Sequence, residues 1–185
     1  MVSTTQAPFT LRDGENLAVY DWPLFPGQRP RAVVLIVHGL GEHAWRYDHV
    51  ARRLNAWGFQ VRAYDQRGHG ESGGARGVLP ADHALLADLA EVVDDTRDTC
   101  CNPWACPMVL LGHSMGGLVA ARFVAGRLRP VEGLVLSSPA LDPGLSGWQK
   151  ALIGLLYRVA PGLAVGNGLD ANQLSHDPTV AAAFL

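Results

Sequence analysis

The sequence predicts an α/β fold with a mostly parallel sheet and helices on both of its faces, and two observations support this. Short apolar runs alternate along the chain with segments that repeat apolar residues at helical spacing. Strands that alternate with helices form right-handed βαβ units, which build parallel sheets. The run at 32–37, AVVLIV, is continuous and rich in β-branched residues. Such a run is typical of a strand buried on both faces of a parallel sheet.

Five strands and three helices are expected before residue 140, each bounded by turn residues. The strands are expected at 17–22, 32–37, 59–64, 108–111 and 134–136, and the helices at 47–57, around 85–93 and at 118–124. Asp82 is the expected cap of the second helix. The acids of that helix are expected to face solvent, and they are Asp88, Glu91, Asp94 and Asp95.

The composition argues against several classes of protein. A formal net charge of −2 lacks the basic excess of a nucleic-acid-binding protein. The sequence contains no run of about 18 apolar residues, so we expect no membrane-spanning helix. The segment 1–10 has no cationic stretch before an apolar run, which favours a cytoplasmic protein over a secreted one. Cys100, Cys101 and Cys106 fit neither a disulfide framework nor a zinc site, so we expect reduced thiols in a surface loop.

The segment 112–117, GHSMGG, carries the clearest chemical signal. It fits the G-x-S-x-G pattern of a nucleophile elbow, with a predicted strand before the serine and a predicted helix after it. Ser114 is the expected nucleophile, flanked by His113, and Gly112 and Gly116 relieve crowding because they lack a Cβ. The backbone N–H of Met115 is an expected oxyanion donor. The alternative is a glycine-rich turn without chemistry.

A second glycine-containing segment, HGLG at 38–41, directly follows the buried strand. The loop at this position supplies the second oxyanion donor in folds with a nucleophile elbow, which indicates the N–H of Leu40. Gly39 beside it allows the backbone to approach a substrate closely. His38 is expected to orient the loop through a hydrogen bond. A role as the catalytic base is the alternative, but the base follows the nucleophile in the chain order of such folds.

The segment 68–73, GHGESG, fits the G-x-G-x-x-G pattern of dinucleotide-binding proteins. A dinucleotide site requires a helix that opens inside the motif, whereas glycines and Pro80 postpone the next helix to about Asp82. We therefore expect no nucleotide cofactor, and we interpret Ser72 as a surface serine rather than a second nucleophile.

Four blocks together resemble the monoacylglycerol lipase and lysophospholipase branch of the α/β-hydrolases: HGLGEHAWRYDHVARRL, YDQRGHGESGG, GHSMGG and SSPAL. The resemblance implies the α/β-hydrolase fold and a serine hydrolase that cleaves monoacylglycerols, lysophospholipids or similar carboxylic esters, without cofactor or metal. It also implies Ser114 as nucleophile, with Leu40 and Met115 in the oxyanion hole. Residues 1–140 would be the first part of the core and residues 141–185 the start of a cap. An apolar helix at 148–160 would act as a lid that can rest on a membrane surface.

In this family the acid and base of the triad follow the cap, and this leads us to expect that neither is present in this chain. His176 is the only histidine after Ser114, and Asp142 and Asp170 are the acids that fit the chain order, but the resemblance supports none of them. We therefore expect a chain truncated within the cap and nearly inactive by itself. Two alternatives remain open: a non-catalytic acyl-binding remnant, and another α/β-hydrolase chemistry such as that of a peptidase, thioesterase or haloperoxidase. The sequence does not predict the oligomeric state.

Overall fold

The computed structural model describes residues 4–142 of the chain. The expected lid helix at 148–160 and the boundary between core and cap depend on residues outside this range, and they stay predictions. Within 4–142, no helix has the length and apolar character needed to cross a membrane.

The described residues form one six-stranded mixed sheet with the strand order β1-β2-β4-β3-β5-β6. β1 pairs antiparallel with β2, and β2 pairs antiparallel with β4. β3 pairs parallel with both β4 and β5, and β5 pairs parallel with β6. This arrangement confirms the mostly parallel sheet. The strands are β1 (Thr5–Thr10), β2 (Asn16–Trp22), β3 (Val33–Val37), β4 (Gln60–Tyr64), β5 (Met108–His113) and β6 (Gly133–Ser137).

Helices cover both faces of this sheet, as predicted. They are α1 (Asp48–Ala56), α2 (Ala84–Thr96) and α3 (Met115–Ala125). On one face, Ala51 of α1 packs in a core that contains Val34 and Ile36 of β3. On the other face, Leu89 of α2 and Phe123 of α3 pack in a second core. All five residues of β3 are buried, because this strand lies between the two cores.

Two expectations about α2 are wrong. His83, not Asp82, is the residue before the helix, and the His83 side chain makes no capping hydrogen bond. The acids do not all face solvent, because arginines from other elements pair with them. Asp88 is buried and accepts hydrogen bonds from both Nε and Nη2 of Arg67, at 3.0 and 2.8 Å. The remaining acids also have partners: Glu91 accepts the N–H of Arg12, Asp94 pairs with Arg129, and Asp95 pairs with Arg62.

The cysteines do not lie in a surface loop. Cys100, Cys101 and Cys106 are free thiols, but all are buried against the core beneath α2 and β5. A π-helical turn, Arg97–Cys101, and a 3-10 turn, Asn102–Trp104, continue α2 and turn these side chains inward. Burial raises the pKa of the Cys101 thiol to about 12. The thiol of Cys101 is therefore protonated and unreactive at neutral pH.

Candidate active site

Ser114 occupies a sharp turn between the end of β5 and the start of α3. Its φ of 50° and ψ of −119° lie outside the regions that an L-residue normally adopts. Three hydrogen bonds hold this conformation: its N–H donates to the Ser137 carbonyl at 3.0 Å, and its carbonyl accepts from the N–H groups of Leu118 and Ala140 at 3.1 and 3.0 Å. These contacts therefore hold the backbone of Ser114 in a strained conformation, as in a nucleophile elbow.

Glycines are required on both sides of this turn. A Cβ on Gly112 would lie 2.6 Å from the Gly116 carbonyl oxygen and 2.7 Å from Cα of Gly117. A Cβ on Gly116 would overlap with the carbonyl oxygens of Val37 and His38 at the end of β3. The missing side chains thus let α3 begin directly against the loop after β3. The close approach brings the two predicted oxyanion segments together.

Gly39 lies against the nucleophile, since a Cβ on this residue would be 3.2 Å from Cβ of Ser114. Next to it, the N–H of Leu40 donates no hydrogen bond within residues 4–142. The N–H of Met115, in the first turn of α3, also lacks an acceptor in this part of the chain. Two backbone donors thus remain for an oxygen atom bound beside Ser114. The Ser114 hydroxyl likewise makes no hydrogen bond with any described residue.

Glu42 organises the loop after β3, a role that the sequence analysis missed. Its Oε2 accepts the N–H of Gly39 at 3.0 Å and the hydroxyl of Tyr47 at 2.7 Å, and its Oε1 lies 3.6 Å from Arg46. Burial would raise the pKa of Glu42, but these hydrogen bonds and the nearby arginine hold it below its usual value. The ionised carboxylate therefore occupies the Gly39 N–H, whereas that of Leu40 has no acceptor within residues 4–142. In the sequence, Glu42 is indicated only by its place in the block HGLGEHAWRY, which is part of the family resemblance.

His38 is buried completely beneath the same loop. Its Nδ1 lies 2.7 Å from the Gly39 carbonyl oxygen, and its Nε2 accepts the backbone N–H of Gln66 at 2.9 Å. Burial lowers the pKa of His38 to about 4, so the ring is neutral at pH 7. Since both ring nitrogens have backbone partners, this geometry supports an orienting role rather than that of a base.

The described residues do not supply a base for Ser114. His113 points its Nδ1 to the hydroxyl of Ser137 at 3.1 Å. Among residues 4–142, no histidine forms a hydrogen bond with the Ser114 hydroxyl. Asp142 is exposed at the end of this range, and both Asp170 and His176 lie outside it.

The glycine-rich loop after β4 has the hydrogen bonds of a structural loop and lacks the geometry of a phosphate site. The hydroxyl of Ser72 accepts the N–H of Ala18 at 2.8 Å and donates to the Asp65 carbonyl at 2.5 Å. Ser72 is half-buried, so its expected place on the surface is wrong; its hydroxyl is used to join the loop to β2. The next helix starts only at Ala84, well after the motif. No group of metal-binding side chains occurs within the described range either.

A cavity of about 410 Å³ lies between α1 and the ends of β5 and β6. Its lining includes Glu42 and His113, the neighbours of the oxyanion loop and of the nucleophile. Further polar groups come from Arg46, Tyr47, His49 and Ser137, and three aliphatic side chains complete the lining: Val50, Leu111 and Val135. The cavity therefore offers both hydrogen-bonding and apolar surface next to Glu42 and His113.

Comparison with known proteins places this arrangement in a family. The family model described as serine aminopeptidase, S33 (Hydrolase_4) matches residues 28–185. The chain belongs to this family. Membership confirms the resemblance predicted from the four sequence blocks, and it confirms the α/β-hydrolase fold.

Individual members of the S33 family show how similar the chain is to lipases. A monoacylglycerol lipase of Mycolicibacterium smegmatis is 40% identical over 192 residues, which cover 100% of this chain and 65% of that relative. The monoglyceride lipase of Homo sapiens is 35% identical, over 90% of this chain and 54% of its own length. A soluble variant of the monoglyceride lipase of Saccharomyces cerevisiae, crystallised with a substrate analog, has a TM-score of 0.79 and 25% identity, over 96% of this chain and 61% of that one. The chain thus spans between 54% and 65% of the length of these relatives.

Proposed function

We propose that the protein is a serine hydrolase of the monoacylglycerol lipase type, which cleaves carboxylic esters of monoacylglycerols or lysophospholipids. The observation that carries this proposal is the strained Ser114, whose hydroxyl is unpartnered within residues 4–142 beside two unused backbone donors. The similarity to monoacylglycerol lipases at 40% and 35% identity supports the substrate class. A cytoplasmic location and contact of the cap with a membrane stay predictions from the sequence.

In the proposed reaction, Oγ of Ser114 attacks the ester carbonyl carbon while its proton passes to a general base. The carbonyl oxygen becomes an oxyanion that accepts hydrogen bonds from the N–H groups of Leu40 and Met115. Each such donor contributes about 2.7–4 kcal/mol to stabilisation of the transition state. The alcohol then leaves with a proton, and water cleaves the acyl-enzyme to release the acid and restore Ser114. The base and the acid that orients it come from outside residues 4–142 in this proposal.

The cavity lined by His113, the residue before Ser114, supports an alcohol group that carries further hydroxyls. Glu42, Arg46 and Tyr47 supply an acceptor and donors on the α1 side, and Ser137 supplies a hydroxyl on the β6 side. A site built to hydrogen-bond a hydroxyl rejects analogues that lack it, because its polar groups are then left unpaired. We therefore expect glycerol esters to react faster than alkyl esters with the same acyl chain.

Glycerol release from a long-chain monoacylglycerol by the full-length protein tests the proposal. The expected result is turnover that falls at least about 10⁴-fold in Ser114→Ala, because the nucleophile is lost. Ser72→Ala is the matched control and keeps its turnover number. Amino-acid nitroanilides and acyl thioesters should react more slowly than the ester. The proposal is wrong if a nitroanilide is the best substrate, or if Ser114→Ala retains ester hydrolysis.

A further inference from the structure

Exposed aromatic side chains are confined to one side of the described molecule. Within residues 4–142, Phe25, Trp45 and Trp57 are the aromatic residues classed as exposed, at 61, 48 and 56% of their full accessible area. Trp45 precedes α1, Trp57 follows it, and Phe25 belongs to the loop before β3. Large apolar side chains on a surface indicate an interaction site when they cluster.

Phe25 and Trp45 both lie near α1. A cavity of about 330 Å³ is lined by Phe25 together with Arg52, Asn55 and Ala56 of α1. At the start of the helix, the ring of Trp45 stacks on Trp22 with 6.0 Å between centroids, and Nε1 of Trp22 donates to Asp48 of α1 at 2.8 Å.

At the other end of the helix, Nη1 of Arg31 donates to the Trp57 carbonyl at 3.3 Å. Trp45 precedes α1 and Trp57 follows it, so the two residues lie roughly 18 Å apart along the helix, from a rise of about 1.5 Å per residue. We call Phe25, Trp45, Arg46, Arg52, Arg53 and Trp57 the aromatic–arginine face.

The face is cationic although the chain is not. Its three arginines, Arg46, Arg52 and Arg53, exceed the two acids beside them by one charge, whereas the whole chain has a formal charge of −2. The acids, Glu42 and Asp48, pair with Arg46 and Arg52 at 3.6 and 2.7 Å and do not cancel the excess. Arg53 is exposed on the same side of α1. Positive charge and exposed aromatic rings thus coincide on the side of the sheet that faces away from α2 and α3.

We propose that the aromatic–arginine face binds the surface of an anionic phospholipid membrane. Tryptophan rings settle at the level of lipid head groups, and arginine pairs with phosphate oxygens in a bidentate manner. A helix with aromatic and basic residues on its exposed side can lie in the plane of such an interface. The two tryptophans lie at opposite ends of α1, an extended arrangement that suits a plane better than a pocket. This contact is separate from the one predicted for the cap.

Binding of the full chain to vesicles tests the proposal without any turnover. Ser114→Ala protein is mixed with vesicles of phosphatidylcholine alone, or with about one third phosphatidylserine, and the bound fraction is measured by flotation. The expected result is binding to the anionic vesicles only, weakened by salt. Arg52→Glu with Arg53→Glu should lower the affinity for these vesicles at least about tenfold, since two positive charges next to the anionic surface become negative. Phe25→Ser with Trp57→Ser should also weaken it.

The matched control reverses the charge of two exposed arginines on the opposite side of the sheet, in Arg122→Glu with Arg127→Glu. Vesicle binding should not change in this variant. Thermal unfolding confirms that each variant is folded. The same charge reversals, made in protein that retains Ser114, should leave hydrolysis of a soluble short-chain ester unaltered. Equal loss in both double variants would overturn the proposal, because net charge and not this face would then control binding. Unchanged binding of the Arg52/Arg53 variant, or binding to single-stranded nucleic acid in place of vesicles, would also overturn it. Failure of ester hydrolysis with intact vesicle binding would count against the proposed function alone.

Discussion

Two glycine-rich turns at the carboxyl ends of strands have similar compositions and opposite uses. In the elbow at 112–117, the space of the missing Cβ atoms of Gly112 and Gly116 is filled by backbone of the neighbouring helix and loop. In the loop at 68–77, two glycines meet side chains instead: a Cβ on Gly70 would overlap with the Asp65 carboxylate, and one on Gly74 would lie 2.7 Å from Cγ of Arg67. Both turns carry a serine, but Ser72 has two internal partners. The comparison teaches that a serine becomes a candidate nucleophile when the turn strains its backbone and leaves its hydroxyl without a partner.

His38 connects the two turns. Its carbonyl oxygen lies where a Cβ of Gly116 would be and accepts the side-chain amide of Gln66 at 2.6 Å, and its Nε2 accepts the Gln66 backbone N–H. Its ring also meets that of His69 edge to face, with 5.2 Å between centroids. The start of the loop that carries Gly39 and Leu40 therefore contacts both turns through His38.

The largest expected effect on stability comes from Gly116→Ala. The added methyl group would overlap with two backbone carbonyl oxygens, so the elbow and the loop after β3 must separate. We expect a loss of more than about 3 kcal/mol in the free energy of unfolding, together with loss of ester hydrolysis. Gly77→Ala is the control, because its φ is +71° but nothing lies within 4 Å. Its cost should be about 1–2 kcal/mol, from the left-handed backbone alone. Denaturant unfolding of both variants checks this, and equal costs would contradict the account of the elbow.

Burial of His38 makes stability depend on pH. The pKa of His38 is about 4 in the folded protein, below the usual value of 6.5, so above pH 6.5 the ring is neutral in both states. Below pH 6.5 the unfolded chain binds a proton that the folded one refuses, and the free energy of unfolding falls until about pH 4.

We expect this loss to be about 3 kcal/mol over that window, and to be absent in His38→Gln. Unfolding free energies of both proteins at pH 7 and near pH 4.5 measure it. If the wild-type protein and the variant lose stability equally, His38 is not the group that titrates.

Glu42→Ala tests how the oxyanion loop is positioned. Without the carboxylate, the N–H of Gly39 loses its acceptor, and the backbone of Leu40, the proposed oxyanion donor, is held less firmly. We expect kcat of the full-length protein to fall about 10- to 100-fold, less than the loss of a whole oxyanion donor, while KM for a short-chain ester changes little. Glu42→Gln keeps an oxygen acceptor and should recover much of kcat. A rise in KM with kcat intact would instead assign Glu42 to binding of the alcohol group.

The smallest expected effect is a difference in the free energy of unfolding between variants of Ser72 and Ser114. Ser72→Ala removes hydrogen bonds to Ala18 and Asp65 and should cost about 1–2 kcal/mol in the free energy of unfolding. Ser114→Ala should change it by less than about 0.5 kcal/mol, since its hydroxyl has no partner within residues 4–142. Thermal unfolding of the two variants provides the comparison. A larger loss in Ser114→Ala would mean that its hydroxyl has a structural role.

Much of the fold is predictable from the sequence, because β3, β4 and β5 are apolar runs and their helices have clear periodicity. β1 was missed: it lies at the edge of the sheet, most of its residues are exposed, and Pro8 interrupts the pattern. An exposed edge strand leaves no burial pattern to detect. The π-helical turn after α2, which buries the cysteines, has no simple sequence signature either.

The candidate site, like the fold, is predictable from the sequence only in part. The positions of Ser114, Gly112 and Gly116 follow from a local motif, since strand, turn and helix are adjacent in sequence. Glu42 and the pair Arg67–Asp88 were not recognised, because their roles depend on contacts between side chains whose relative positions only the folded chain defines. Charge patterning along one helix predicts solvent exposure by default, so a buried acid paired across 21 residues was misassigned.

Labelling of the full-length protein with a fluorophosphonate probe, followed by mass spectrometry of its peptides, tests the central claim most directly. The account predicts a single modified residue, Ser114, in both the wild-type protein and Ser72→Ala, and no modification in Ser114→Ala. Modification of Ser72, or an active enzyme whose Ser114 stays unlabelled, would contradict it.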